Sequence, residues 1–321
     1  MKNDEMKYYF IVNQFAGAEH SVAAWNTVQL ILRQRKIPFE FTITEYAKHA
    51  TKLAQEFAED HESGWIIVAV GGDGTLLEVL DGIRYAKNHP ALGYIPAGSG
   101  NDFARTVGIS FKADESLNQL LNATEFMALD VVKYSDYNSE ITHYFTNNIG
   151  IGFDAQIVHQ ANTGRKTQLS KWHLESAAYI SAIIKTFFKQ DAFPLEMEID
   201  GEKHKFDRAF LVSLTNIKYF GGGVGIAPKA SLTDGKLDIV IAEQISFLKL
   251  IRLFSHVFFK GDHLTQPEIF FRTGSHIHAQ SFKPEYGQVN GEDIPKQNFN
   301  IELSLEKQDF WFIKQHFVKK L

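Results

Sequence analysis

Cysteine is absent from this sequence of 321 residues, which excludes disulfides and thiolate metal centres and suits a reducing compartment. No apolar run approaches the roughly 20 residues that cross a bilayer. The longest runs, such as Trp65 to Val70, have the length of a strand. Met1 to Phe10 carries charge throughout and lacks the apolar stretch of a signal peptide. These absences predict a cytoplasmic protein that meets a membrane only from outside. Charge of one sign is not in large excess either. A formal net charge of -5 gives no whole-molecule attraction to nucleic acid or anionic lipid, so either contact needs a local basic patch. No nucleic-acid partner is expected.

What is present is the composition of a folded chain, 44% hydrophobic and 22% charged, with a length that suits two domains. Tyr8 to Val12, Pro38 to Ile43, Trp65 to Val70 and Leu92 to Ile95 read as strands. Ser21 to Gln34, Ala47 to His61 and Leu76 to Lys87 between them read as helices. That alternation predicts an α/β layer with a mostly parallel sheet. After Asp130 the pattern changes to strands punctuated by glycine and polar turns: Tyr144 to Ile149, Leu195 to Ile199, Ala209 to Thr215, Leu237 to Ile241 and His276 to Gln280. A second, mostly antiparallel domain is expected there, interrupted by helices over Ser170 to Lys189 and Phe247 to Phe259. Asn298 to Leu321 reads as a terminal strand and helix.

Two glycine loops carry the chemistry. Val68 to Glu78 is a buried strand that enters Gly71-Gly72-Asp73-Gly74-Thr75 and then a helix. Glycines allow close backbone approach, and free amides at a helix start favour phosphate oxygens. Asp73 would repel phosphate unless a cation intervenes, which points to Mg²⁺-nucleotide handling or to a base facing a hydroxyl. A plain helix cap explains Asp73 equally well from this loop alone. Ile95 to Arg105 repeats the strand-loop-helix pattern, with Ser99 offering a hydroxyl and Asn101 or Asp102 a cap. Two such loops on successive β-α units lie at the carboxyl ends of neighbouring strands, where these sheets bind ligands. Neither matches the P-loop or dinucleotide patterns.

The pair GGDGTLLEVLDG and PAGSGNDFAR resembles the catalytic signature of the diacylglycerol kinase, sphingosine kinase and bacterial lipid kinase superfamily. The resemblance continues in order through Asn13 to Gly17, Thr44 to Ala50, Leu129 to Val131 and Asn147 to Ala155. It extends through Phe220 to Gly223, Asp234 to Asp238 and Val289 to Glu292. It implies a three-layer α/β nucleotide-binding domain over 1–130 with a returning segment at about 304–321. A β-sandwich-like lipid-substrate domain would occupy 131–303. It implies that Asn13, Gln14, Phe15, Ala16, Gly17, Thr44, Gly71, Gly72, Gly74, Thr75 and Ser99 surround ATP. Asp73, helped by Asp130, would organise a catalytic Mg²⁺, and Glu292 would take the proton of a lipid hydroxyl. Ser231, Asp234 and Lys236 would hold a structural Mg²⁺, the first and last through backbone carbonyls.

Departures from the family pattern are also visible. Gln14 and Ala16 stand where the family has proline and serine, Leu77 for asparagine, Lys48 for glycine, and Asn290 for aspartate. The implied activity is ATP-dependent phosphorylation of diacylglycerol or a related lipid alcohol, with transient contact at the inner membrane surface and room for a homodimer. NAD kinases share Gly-Gly-Asp-Gly-Thr, but the Pro96 to Arg105 and Phe220 to Asp238 motifs argue against that activity. A non-catalytic lipid- or nucleotide-binding protein of the same fold is the reading from a different class.

For membrane approach, the sequence offers Arg165, Lys166, Lys171, Lys185 and Lys189 interleaved with Trp172, Tyr179, Phe187 and Phe188, and also Phe258-Phe259-Lys260. A helix packed on a sheet with solvated lysines explains the first group as well. His276 and His278 fall on one face of a strand and suggest exposed side chains rather than zinc.

Overall fold

The computed structural model describes residues 6–17, 19–61, 64–163, 177–219 and 224–313. The chain divides into two compact units, Met1–Val131 with Lys307–Leu321, and Val132–Glu306.

In the first unit, β1 (Lys7–Val12), α1 (Glu19–Gln34), β2 (Phe39–Ile43), α2 (His49–Asp60), β3 (Trp65–Gly71), α3 (Asp73–Tyr85) and β4 (Ala91–Pro96) alternate. Two further helices follow, α4 (Asp102–Val107) and α5 (Ala113–Leu121), and then β5 (Met127–Asp136) leads toward the second unit. The strands pair in the order β2-β1-β3-β4, all parallel. The returning chain adds a parallel contact at Phe310 to Leu92, and Gln308 and Trp311 bond to the carbonyls of Pro90 and Leu92.

Parallel strands covered on both faces must be apolar on both, and β3 is buried at every position after Trp65. Alternate residues then divide between two layers. Tyr8, Phe10, Val12, Ile66, Val68 and Val70 pack with Trp25, Val28 and Leu32 of α1 and Leu117 and Leu120 of α5. On the other face, Tyr9 stacks on Phe57 of α2. There α2 and α3 cross closely, because a side chain at Gly82 would overlap the Thr51 carbonyl.

The second unit contains β6 (Ile141–Phe145), β7 (Asn148–Gly152), α6 (Phe153–Thr163), α7 (Ala177–Lys189), β8 (Phe193–Ile199), β9 (Glu202–Thr215) and β10 (Leu237–Glu243). It continues with α8 (Phe247–Ser255), β11 (Ile269–Gly274), β12 (His276–Ser281), β13 (Glu285–Val289), β14 (Glu292–Gln297) and β15 (Asn300–Phe310). Its strands pair antiparallel in the order β14-β13-β7-β9-β8-β12-β15, and β9 also pairs with β10, which pairs with β11. This is the β-sandwich-like domain that the sequence implied. On β12, Ile277 and Ala279 are buried while His276 and His278 share the other face, bonded to Glu302 and Asn300.

Two local expectations are corrected. Tyr144 to Ile149 is not one strand. The chain changes neighbours at Thr146 and Asn147, from β5 to β9, and the Asn147 carbonyl accepts the Asn216 amide at 2.7 Å. Phe247 to Phe259 is α-helical only to Ser255, after which His256–Lys260 forms a π-helical turn. The expected helix over Ser170 to Lys189 is described from Ala177 onward. Arg165, Lys166, Lys171, Trp172, the Phe220 to Gly223 motif and residues 314–321 lie outside the described residues, as do the side chains of Tyr179, Phe258 and Phe259.

Candidate active site

Three loops follow the carboxyl ends of β1, β3 and β4, and backbone contact holds them together. The Ala97 amide donates to the Gly71 carbonyl at 2.6 Å and the Asn13 amide to Val70 at 3.0 Å. A Cβ at Gly17 would overlap the Ala97 carbonyl oxygen, and one at Gly98 would overlap the Gly72 Cα. Gly17 also has φ +59°, in the left-handed region. Glycine is therefore required at these positions so that backbones can touch, which also leaves amide edges uncovered by side chains.

Polar side chains fix the first two loops to each other. Asn13 Nδ2 donates to Thr75 Oγ1 at 3.0 Å, Asn13 Oδ1 accepts the Phe15 amide at 3.0 Å, and Ser21 Oγ donates to the Asn13 carbonyl at 2.6 Å. Gln14, Ala16 and Gly17 are half-buried and Phe15 and Ser99 exposed, while Thr44 is buried and donates its amide to Val12 at 2.9 Å.

Asp73 begins α3, but its carboxylate serves a different helix. Oδ2 accepts the Asp102 amide at 3.0 Å and Oδ1 the Phe103 amide at 3.1 Å, so both oxygens cap the start of α4. Four amides at a helix start lack intrahelical partners, and a carboxylate there also meets the positive end of the helix dipole. The expected cap thus exists, but it runs from the second loop to the third. Asn101 adds a reciprocal pair with Gly98: Gly98 N to Oδ1 at 3.1 Å, and Nδ2 to Gly98 O at 2.8 Å. Its φ of 52° is tolerated because asparagine populates the left-handed region.

Sequence reasoning missed Tyr94. Its hydroxyl lies 3.2 Å from both the Gly71 carbonyl and Asn101 Oδ1, joining the same two loops from below. Burial first, then the charges of Asp73 and Asp102, push its pKa well up, so it remains a donor. Inside a buried strand the residue looked like ordinary core.

Asp130 is not an open carboxylate. It is 1% exposed and paired with Lys307 Nζ at 2.6 Å. Lys307 was not foreseen, since only the folded chain brings its returning segment to β5. Among the described residues no cluster of three metal-ligating side chains exists. A carboxylate such as Asp73 suits a Mg²⁺ carried mainly by nucleotide phosphates and water. Asp130, neutralised by a lysine, does not fit as a direct ligand.

In the second unit, Asn290 and Gly291 have φ of 51° and 84°, the signature of a type I′ turn joining β13 to β14. Glu292 is the exposed first residue of β14. The turn is anchored from below. The Asn290 amide donates to Asn148 O at 2.9 Å, and Asn148 N donates to Asn290 Oδ1 at 3.2 Å. The Gly291 amide donates to Gln288 Oε1 at 2.8 Å, while Gln288 Nε2 donates to Asp154 Oδ2 at 3.3 Å. Asp154 was another residue that the sequence did not single out. Burial raises its carboxyl to about 7.

Ser231, Asp234 and Lys236 occupy one tight loop. Asp234 Oδ1 accepts the Lys236 amide at 3.1 Å and Ser231 Oγ the Thr233 amide at 3.3 Å. Asp238, just beyond, is raised to about 6 by burial first and by the Asp234 charge second. A cation would relieve that like-charge pair, so the loop's chemistry is compatible with one.

Comparison with known proteins agrees with this architecture. The Diacylglycerol kinase catalytic domain profile matches residues 7–134, and the YegS C-terminal NAD kinase beta sandwich-like domain profile matches residues 147–304. The chain is 29% identical over 252 residues to the Diacylglycerol kinase of Bacillus subtilis strain 168, covering 78% of this chain and 77% of that protein. It is 26% identical over 245 residues to the Diacylglycerol kinase of Staphylococcus haemolyticus strain JCSC1435, covering 75% and 70%. A crystal structure of a diacylglycerol kinase from Bacillus anthracis str. Sterne superposes with a TM-score of 0.68 at 22% identity over 96% of this chain and 97% of that one, a likeness of fold. The two profiles together span most of the sequence, and the chain belongs to the diacylglycerol kinase catalytic-domain family of lipid kinases.

Proposed function

We propose that the protein transfers the γ-phosphoryl group of ATP to the hydroxyl of diacylglycerol or a related lipid alcohol. The observation that carries this reading is the joining of three glycine-bearing loops with Asp73 fixed across two of them. Phosphoryl transfer depends mainly on positioning and charge neutralisation, and backbone amides on a rigid parallel sheet provide both. In this scheme Asn13 to Gly17, Thr44, Gly71, Gly72, Gly74, Thr75 and Ser99 bind ATP, and the Asp73 carboxylate would hold the nucleotide's Mg²⁺. Mg²⁺ supplies charge neutralisation on the phosphates. Asp130 acts from behind, holding Lys307 in the first unit.

Glu292 takes the proton as the lipid oxygen bonds to the γ-phosphorus, and the bond to the β-phosphate oxygen breaks to release ADP. A protonated alcohol is a weak nucleophile, so an ionised carboxylate has a defined task. Ser231, Asp234 and Lys236 hold a structural cation that offsets the Asp234 and Asp238 charges. Among the described residues no helix is long and apolar enough to cross a membrane, and the lipid is reached by transient contact with the inner membrane surface.

The test is to incubate the purified protein with Mg²⁺, γ-labelled ATP and mixed micelles of candidate lipids, with NAD as a parallel substrate. Label is expected in a lipid. Label in NAD and in no lipid overturns the reading.

A further inference from the structure

Helix α8 is apolar on both sides. Leu250 is buried against Phe153, Phe187 and Phe210, with Phe247 and Phe254 packed beside it. Yet Leu248 is 78% exposed and Ile251 52% exposed on the opposite side. A surface helix needs only one apolar stripe to hold it down, so the second requires another explanation. Helix α7 presents a matching row: Phe188 is 69% exposed and Ile184, one turn earlier, is also exposed. The two rows are continuous, because the rings of Phe188 and Phe247 lie 5.3 Å apart.

Cations border this strip. Lys185 and Lys189, again one turn apart, run beside Ile184 and Phe188, and both are exposed. On α8, Lys249 and Arg252 are exposed beside Leu248 and Ile251. Lys249 is paired with Glu268 at 3.2 Å and Arg252 bonds the neutral Gln266 at 3.3 Å. With a whole-chain charge of -5, basic residues gathered around exposed leucine, isoleucine and phenylalanine are a local exception. Long basic side chains keep their heads at a headgroup layer while their stems follow apolar surface.

We infer that the outer face of α7 and α8 is a docking surface for an anionic phospholipid bilayer, with Phe188, Leu248 and Ile251 entering the interface and Lys185 and Lys189 meeting lipid phosphates. This gives the lipid-kinase reading a membrane partner, but the contact is testable without catalysis. The whole chain is floated with vesicles of phosphatidylcholine alone or mixed with phosphatidylglycerol, none containing diacylglycerol. Binding is expected to the anionic vesicles and to weaken with salt. A triple variant, Phe188→Ser, Leu248→Ser and Ile251→Ser, loses at least about tenfold in affinity, since burying even one such side chain is worth roughly that factor. Lys185→Glu with Lys189→Glu removes the preference for phosphatidylglycerol, because each cation near such a surface is worth roughly fivefold.

All five side chains are exposed, so unchanged unfolding temperatures are expected and verify the fold. Two results overturn the inference: wild-type protein that ignores anionic vesicles, or a triple variant that binds them as wild type does. A wild-type dimer that the triple variant converts to monomer, with vesicle binding unaltered, assigns the strip to a second copy instead. Transfer of label to a short-chain diacylglycerol dispersed as monomers separates the two claims. The triple variant keeps it, whereas its absence in wild type defeats the kinase reading and leaves the docking result standing.

Discussion

The glycine loops of the first unit and the hairpin of the second hold Asp73 and Glu292, the two residues proposed for the chemistry, in opposite ways. Around Asp73 the backbones themselves touch, and the carboxylate is tied down by two amides of another helix. Glu292 is exposed at the end of a turn, and the rigidity lies beneath it, in the chain from Gly291 through Gln288 to buried Asp154. A substitution in the loops should therefore disturb structure and chemistry together. One at Glu292 should disturb chemistry alone.

The sharpest way to break that contrast is Gly98→Ala. The new Cβ must push the Gly72 backbone away. A displacement near 1 Å in a positioned site costs about 100-fold, so transfer is expected to fall at least that far, with a lowered unfolding temperature. Normal activity would show that the loop contact is dispensable. Glu292→Gln removes the proposed base and keeps the shape. Transfer should fall by roughly 100- to 10,000-fold, the usual contribution of general base catalysis, while the melting curve stays unchanged. A variant with melting lowered as far as that of Gly98→Ala would refute the contrast.

Asp154 tests the support under the hairpin. Burial pushes its folded carboxyl up to about 7 from the ordinary 3.8, so the folded state binds more protons than the unfolded one between those values. Stability accordingly falls as pH rises through that window and levels off above it. Asp154→Asn should remove this slope and stabilise the protein above pH 7, by an upper limit of roughly 4 kcal/mol at 1.36 kcal/mol per pH unit. Urea unfolding at acid and neutral pH measures both; an unaltered slope contradicts the assignment. The smallest effect belongs to Lys48, which adopts φ 67° at the start of α2 while Glu78 accepts its amide at 3.0 Å and that of Ala50 at 3.3 Å. A left-handed conformation costs a side chain roughly 1 kcal/mol, so Lys48→Gly is expected to stabilise modestly without altering transfer.

These residues also show what the sequence could and could not reveal. The parallel layer was legible because β3 is an unbroken apolar run that ends in a glycine turn. The Asn290-Gly291 turn was written plainly as a hairpin signal, yet β13 and β14 went unread because Gly287 interrupts the apolar alternation and shifts the register. Helix α6 begins in the last three residues of the motif Asn147 to Ala155, directly after the glycines of β7, and went unread. Lys307 and Tyr94 could not be found by any local pattern. Lys307 gains its role from a chain return, and Tyr94 is a core strand residue whose hydroxyl happens to end between two loops. Asp73 stands out in the sequence as an acid inside a glycine turn, but its partner helix does not, since the cap joins different β-α units.

The most direct measurement is therefore the rate of label transfer from ATP to diacylglycerol in mixed micelles by Asp73→Asn, beside wild type and with unfolding followed in parallel. Asparagine retains one acceptor oxygen for the α4 amides and loses the charge that the proposed Mg²⁺ would require. The account predicts no detectable transfer by a folded protein destabilised by about 1–2 kcal/mol, the scale of one weakened charge-assisted hydrogen bond. Transfer at the wild-type rate would contradict it.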